Sequence, residues 1–252
     1  MMKRYRTTFG IKNVLTSYIE YNTPRAINEN LNILRQLKRE NNGKVFLDSG
    51  AFSVWNSGKT IKLADYISFV NRFGEYFDVI ANLDVMNDPD ESYNNYLDMI
   101  RMVTRKEFIS KIVPVYHYPE PSRYLDNYLD KTDYVGIGAI TQLCRSTSTL
   151  LPYLNKVINY IPLEKKIHLF GISRFDVLFK FNKRITSVDS TSWSASPLYL
   201  TVLTNNAKKF IDYKGKTNAT KENTIKWLCH DVAQIMELEE RVNAYIEKLS
   251  EK

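Results

Sequence analysis

The sequence is poor in the residues that build metal and thiol chemistry. It holds two cysteines in 252 residues. Cys144 and Cys229 stand far apart, with no Cys-x-x-Cys pair and no zinc-ligand spacing, so neither a zinc module nor a redox dithiol is expected. Its three histidines, His117, His168 and His230, are too scattered to define a metal site. No metal and no cofactor is expected. No stretch approaches the apolar length of a membrane span. Residues 1–10 are basic and polar with no apolar run behind them, unlike a secretory signal. These absences predict a reduced, cytoplasmic protein. Phosphate-loop patterns are missing too: there is no Gly-x-x-x-x-Gly-Lys and no Gly-x-Gly-x-x-Gly, and Gly136-Ile-Gly138 alone is too short a signal. Ser190 and Ser192 follow an acid, but no nucleophile elbow surrounds them.

What is present is an ordinary globular composition, 44% hydrophobic and 25% charged. The length suits one large domain over 1–252, with a helical tail from about 221 to 252. Thirty-five Lys and Arg against 28 Asp and Glu give +7, a balance compatible with a polyanionic partner. Seventeen Tyr and 12 Phe supply core residues and rings that could stack on bases.

The recurring design is a short apolar strand ending on a polar residue. Val45-Phe-Leu-Asp48 stops on an acid before Ser49-Gly50. Val79 to Asp84 ends on an acid, Ile112 to His117 on an imidazole, Tyr134 to Gly138 in glycines, Lys166 to Gly171 again in glycine, and Ile185 to Asp189 on an acid. Two further strands are expected at Asn13–Ile19 and Lys209–Tyr213. Helices are expected between them over Asn28–Arg39, Leu63–Phe73, Glu91–Arg105, Ser122–Leu129, Thr149–Tyr160, Arg174–Phe181 and Pro197–Asn205. Alternating strands and helices argue an α/β fold with a parallel sheet. Eight units in this length match a (β/α)₈ TIM barrel; a doubly wound open sheet fits the same order.

A carboxylate at the end of a buried strand is a costly place for a charge unless it is paired, caps a turn or serves a site. Two such carboxylates suit displacement at a sugar carbon, one attacking and the other handling a proton. His168 reads as a hydrogen-bonded interior residue, and His230 as a residue of the tail helix.

Leu47-Asp-Ser-Gly-Ala-Phe-Ser53 resembles the Asp-Ser-Gly-Gly-aromatic-Gln signature of the tRNA-guanine transglycosylase superfamily. The phage and bacterial 7-deazaguanine DNA-guanine transglycosylases are the nearer match. Pro114-Val-Tyr-His117, Gly136-Ile-Gly138, His168-Leu-Phe-Gly-Ile-Ser173 and Ser187-Val-Asp-Ser-Thr-Ser-Trp193 follow in the family's order, so the resemblance covers about Lys44 to Trp193. It implies a (β/α)₈ barrel that exchanges guanine in a nucleic acid, DNA rather than tRNA, for a 7-deazaguanine base. It implies that Asp189 is the nucleophile and Asp48 the general base. Phe52 and Phe170 then stack on the base, Asp84 bonds its edge, His117 stands where the tRNA enzymes use Gln, and Gly138, Ala139 and Gly171 line the pocket. The zinc site of the tRNA enzymes has no counterpart here, since only Cys229 and His230 lie beyond Asp189. Arg145, Arg174, Lys180, Lys183 and Arg184 are expected to meet phosphates, on the view that they occupy loops after the strands. Competing readings are a tRNA-guanine transglycosylase, a barrel glycosidase or transferase acting on a small nucleoside, a catalytically dead nucleic-acid-binding barrel, and a barrel whose acids only cap turns.

Overall fold

Residue parity organises the fold. The computed structural model describes residues 13–145, 147–172, 174–190, 201–203 and 208–210, with individual helical positions between 233 and 248. Strands β1 (Val14–Ser17), β2 (Val45–Asp48), β3 (Val79–Ala81), β4 (Ile112–Val113), β5 (Val115–His117), β6 (Tyr134–Gly138), β7 (Lys166–Leu169) and β8 (Ser187–Val188) form two parallel sheets. Their orders are β1-β2-β3-β4 and β5-β6-β7-β8. Helices α1 (Pro24–Asn41), α2 (Ala51–Asn56), α3 (Leu63–Phe73), α4 (Pro89–Met102), α5 (Lys106–Ile109), α6 (Ser122–Leu129), α7 (Thr147–Tyr160) and α8 (Phe175–Lys180) are interleaved with them.

The break between β4 and β5 has a local cause. Pro114 has no N–H to give to a ladder. The Val113 carbonyl still accepts from Asn82 N on the β3 side, and the Pro114 carbonyl accepts from Gly136 N on the β6 side. The Val115 N–H turns to Asn82 Oδ1 at 3.0 Å. One chain segment thus joins both sheets.

Alternate residues serve two different cores, as the period of two requires. Val45, Leu47, Ile80, Ile112, Tyr116, Val135, Ile137, Ile167 and Leu169 pack into the large core under the helices. The other parity builds a small second cluster of Phe46, Ala81 and Val115 with Leu15, Val79 and Phe170. This cluster shows that the sheet is rolled. β2 and β7 are four strand positions apart, ~19 Å in a flat sheet. Yet the Phe46 ring lies 4.5 Å from the His168 ring and 5.6 Å from the Phe170 ring, centroid to centroid.

The helices dock by their apolar faces. In α1, Thr23 caps the start by accepting from Ala26 N, Pro24 occupies the first turn, and Asn42 closes the end with φ 49; Leu31, Leu34 and Leu37 are buried along one side. Asp88 and Pro89 start α4 in the same way, and Asp90 and Glu91 sit favourably in its first turn.

Two expectations are corrected. The stretch Lys208–Phe210 (β10) is not an eighth parallel strand: it pairs antiparallel with Thr201–Leu203 (β9). The latter was expected within a helix over Pro197–Asn205, but Thr-Val-Leu favours a strand through its β-branched side chains. Among the described residues no ladder joins β8 to β1. The rest of that helix, residues 191–200 including Trp193, and the tail up to residue 232, with Cys229 and His230, lie outside the described residues. The described tail positions are helical. Among the described residues no helix is long and apolar enough to cross a membrane.

Candidate active site

Parallel strands bring their C-terminal ends to one mouth. Ser17 is in register with Asp48, and His117 with Gly138, while Leu169 pairs with Val188, one residue before Asp189. Asp48, His117, Phe170 and Asp189 carry the inward parity at this end, and Asp84 follows β3.

Asp48 is held by the turn that follows it. Its Oδ2 accepts from Gly50 N at 3.0 Å. Gly50 has φ 82, and a Cβ there would come within 2.7 Å of both Ile19 and Ser17, so only glycine fits the turn. Burial, then the negative charges of Asp84 and Asp189, push the Asp48 carboxyl up to about 7; the bond from Gly50 offsets only part of this. The Ser17 hydroxyl beside it lowers the value too, more than the Gly50 bond does. A carboxyl poised near neutrality can accept and return a proton.

Asp84 lies in a different setting. Its Oδ1 accepts from Ser49 Oγ at 2.6 Å and its Oδ2 bonds His117 Nε2 at 2.8 Å. Burial alone would raise this carboxyl, but the hydrogen bond and charge of His117, with the Ser49 bond, hold it below the ordinary range. Burial would lower His117 in turn, yet Asp84 and Glu120 raise it to about 10. Its Nδ1 lies 3.3 Å from Glu120 Oε1. Glu120 Oε2 accepts from the His117 backbone N–H at 3.1 Å. His117 is therefore a buried imidazolium between two carboxylates. The loop carrying Asp84 is fastened by α4: Ser92 Oγ accepts from Val85 N, and Asn95 Nδ2 donates to the Leu83 carbonyl.

Asp189 is oriented through one oxygen. Its Oδ1 accepts from Gly171 N at 2.9 Å and bonds His168 Nε2 at 3.2 Å. Gly171 has φ 71, and a Cβ would press to 2.4 Å from Thr141 Cγ2. The glycine expected to line the pocket is thus a backbone donor to the expected nucleophile.

Compared with models of known families and with curated proteins, the chain matches none.

The remaining expected residues divide by place. Phe170 is interior, with its ring 4.3 Å from that of His168. Phe52 lies on α2, 54% exposed, and its ring neighbour is Trp55 at 6.4 Å. Gly138 ends β6 beside His117, and Ala139 follows with φ 55. Arg145 ends a short 3₁₀ turn, Thr141–Arg145, after β6. Arg174 follows β7 but is engaged by Asp176 through Nε and Nη2. Lys180, Lys183 and Arg184 are not in a loop after a strand. They end α8 and lead into β8, at the opposite end of the sheet from the mouth. Arg184 donates to the carbonyls of Ile158, Ile161, Pro162 and Leu163 and so caps the end of α7.

Three contributors escaped the sequence reading: Ser49, Glu120 and Ser187; His168 is hydrogen-bonded as expected, with Asp189 as a partner the sequence did not name. Parity held a signal for one of them, because His168 and Phe170 share a face with Ser187 and Asp189 in register. Ser49 and Glu120 act through turns, which carry no period. Among the described residues no cluster of three His, Cys, Asp or Glu side chains is arranged to hold a metal ion.

Proposed function

We propose that the protein is a base-exchange transglycosylase that replaces guanine in DNA with a 7-deazaguanine base on a closed (β/α)₈ barrel. The observation that carries this reading is the meeting of Asp48 and Asp189, from β2 and β8, at one mouth, with Asp48 poised for proton transfer. The rolled sheet supports the barrel.

In this reading Asp189 attacks C1′ of the target nucleotide, the C1′–N9 bond breaks, and guanine leaves with the electron pair and takes up a proton from water. The covalent ester between Asp189 and the sugar stores the reaction. Asp48 then takes the proton from N9 of the incoming base, N9 attacks C1′, and the Asp189 carboxylate departs. Asp84, anionic and fixed by Ser49 and His117, offers an acceptor to the N–H groups of a guanine-like edge. Extrusion of the target base is required for any of this chemistry. The enzyme works in the cytoplasm, that of the host if a phage encodes it.

The test is incorporation of labelled guanine into duplex DNA, single-stranded DNA, tRNA and free guanosine. Incorporation into DNA is expected. Incorporation into tRNA alone assigns the tRNA reaction instead, exchange on free guanosine assigns a small-nucleoside enzyme, and none in any substrate overturns the proposal.

A further inference from the structure

The residue with the most fully determined surroundings in the mouth is His168. Its side chain is 2% exposed. The Phe46 ring lies 4.5 Å away at 52° and the Phe170 ring 4.3 Å away at 74°. Both ring nitrogens are engaged: Nδ1 with Ser187 Oγ at 2.6 Å and Nε2 with Asp189 Oδ1 at 3.2 Å. Ser187 Oγ in turn meets Tyr134 OH at 2.6 Å. The carboxylate end sets the direction. Asp189 Oδ1 can only accept, so the ring proton stands on Nε2. In the neutral ring Nδ1 is then the acceptor and takes the Ser187 hydroxyl proton. Ser187 Oγ in turn accepts from the Tyr134 phenol.

We propose that His168 is a positioning residue for Asp189, set by a one-way hydrogen-bond chain from Tyr134 through Ser187. The chain delivers a donor to Oδ1, where Gly171 N also binds, and leaves Oδ2 as the oxygen free to attack. A side chain clamped by two rings cannot swing, so the carboxylate cannot rotate away from its line of approach. The pairing of an imidazole with a carboxylate to fix orientation is a general device, and the aromatic clamp adds what hydrogen bonds alone do not. This inference rests on the transglycosylase reading for its consequence, but its geometry stands without it.

The experiment compares His168→Phe, His168→Gln and Tyr134→Phe with the wild type and Asp189→Asn. Single-turnover formation of the covalent adduct and nucleic-acid binding are measured separately. Histidine tautomers are read from nitrogen–proton correlation spectra of the wild type. The spectra are expected to place the His168 proton on Nε2. His168→Phe, which keeps a flat ring, is expected to slow adduct formation about 100-fold with unchanged binding. His168→Gln, whose amide N–H can reach the place of Nε2–H, is expected to recover at least part of that loss. Tyr134→Phe is expected to lose about threefold to tenfold. A proton on Nδ1 overturns the proposal, and so does an adduct formed by His168→Phe at the wild-type rate. Should His168→Phe fail to fold, the spectra and Tyr134→Phe still decide. Exchange that survives in Asp189→Asn overturns the transglycosylase reading instead, and leaves the tautomer result to judge the chain.

Discussion

Two histidine–aspartate pairs flank Asp48, and they are built from the same residue types with different third partners. His117 bonds Asp84 at 2.8 Å and has Glu120 on its other nitrogen. His168 bonds Asp189 at 3.2 Å and has a serine hydroxyl on its other nitrogen. The second carboxylate turns His117 into a buried cation, raised to about 10, and its charge keeps Asp84 an anion. The hydroxyl instead makes His168 a directional donor. One pair fixes charge and the other fixes direction, which in the proposed transglycosylase are the needs of an edge-binding acceptor and of a nucleophile. The third partner sets the role of each pair.

The sharpest way to break this comparison is to truncate each histidine. His117→Ala leaves two buried carboxylates without their cation and is expected to cost about 3–5 kcal/mol in chemical denaturation. His168→Ala removes a donor and its packing and is expected to cost less, about 1–3 kcal/mol. Equal costs would erase the distinction. The sign with pH follows from His117 gaining its partners on folding. Its contribution is complete below its ordinary value near 6.5, and is lost as pH rises through about 10.

Asp48 sharpens it next. Its folded carboxyl titrates at about 7, above its unfolded value, so folding takes up a proton and stability falls as pH climbs from about 4 to about 7. Asp48→Asn removes that penalty. It is expected to stabilise the protein by about 4 kcal/mol at pH 8 and by little at pH 4, while ending exchange. A melting point that is no higher at pH 8 would place Asp48 in a less hostile setting. Wild-type exchange limited by the Asp48 base should correspondingly rise with pH through about 7 and then level off; a profile flat from pH 5 to pH 9 would remove Asp48 from proton transfer.

The arrangement of the strand ends was largely legible in the sequence, because apolar runs and their polar stops follow a period of two. Val45 to Asp48, Tyr134 to Gly138 and Lys166 to Leu169 form strands where the run predicts them. The last part of the chain was not legible: Thr201–Leu203 reads equally as part of an apolar helix face, and strand pairing settles the matter. Asp48, Asp84, His117 and Asp189 were visible as stops. Their pairing was not, since Ser49 and Glu120 reach them through turns and Ser187 through a partner strand. Arg184, expected to meet phosphate, donates to four carbonyls, contacts that no sequence pattern announces. Arg184→Ala is accordingly expected to lower stability by about 1 kcal/mol and to leave the salt dependence of nucleic-acid affinity unchanged; a shallower salt slope would return it to the interface.

In the proposed reaction Asp189 forms the covalent bond to the sugar while Asp48 manages the proton. Asp48→Asn incubated with guanine-containing DNA, denatured, digested and analysed by mass spectrometry tests it most directly. A sugar-linked peptide carrying the modification on Asp189 is expected, and none in the Asp189→Asn protein. An adduct on Asp84 or on any other residue, or exchange at near wild-type rate in Asp189→Asn, would contradict it.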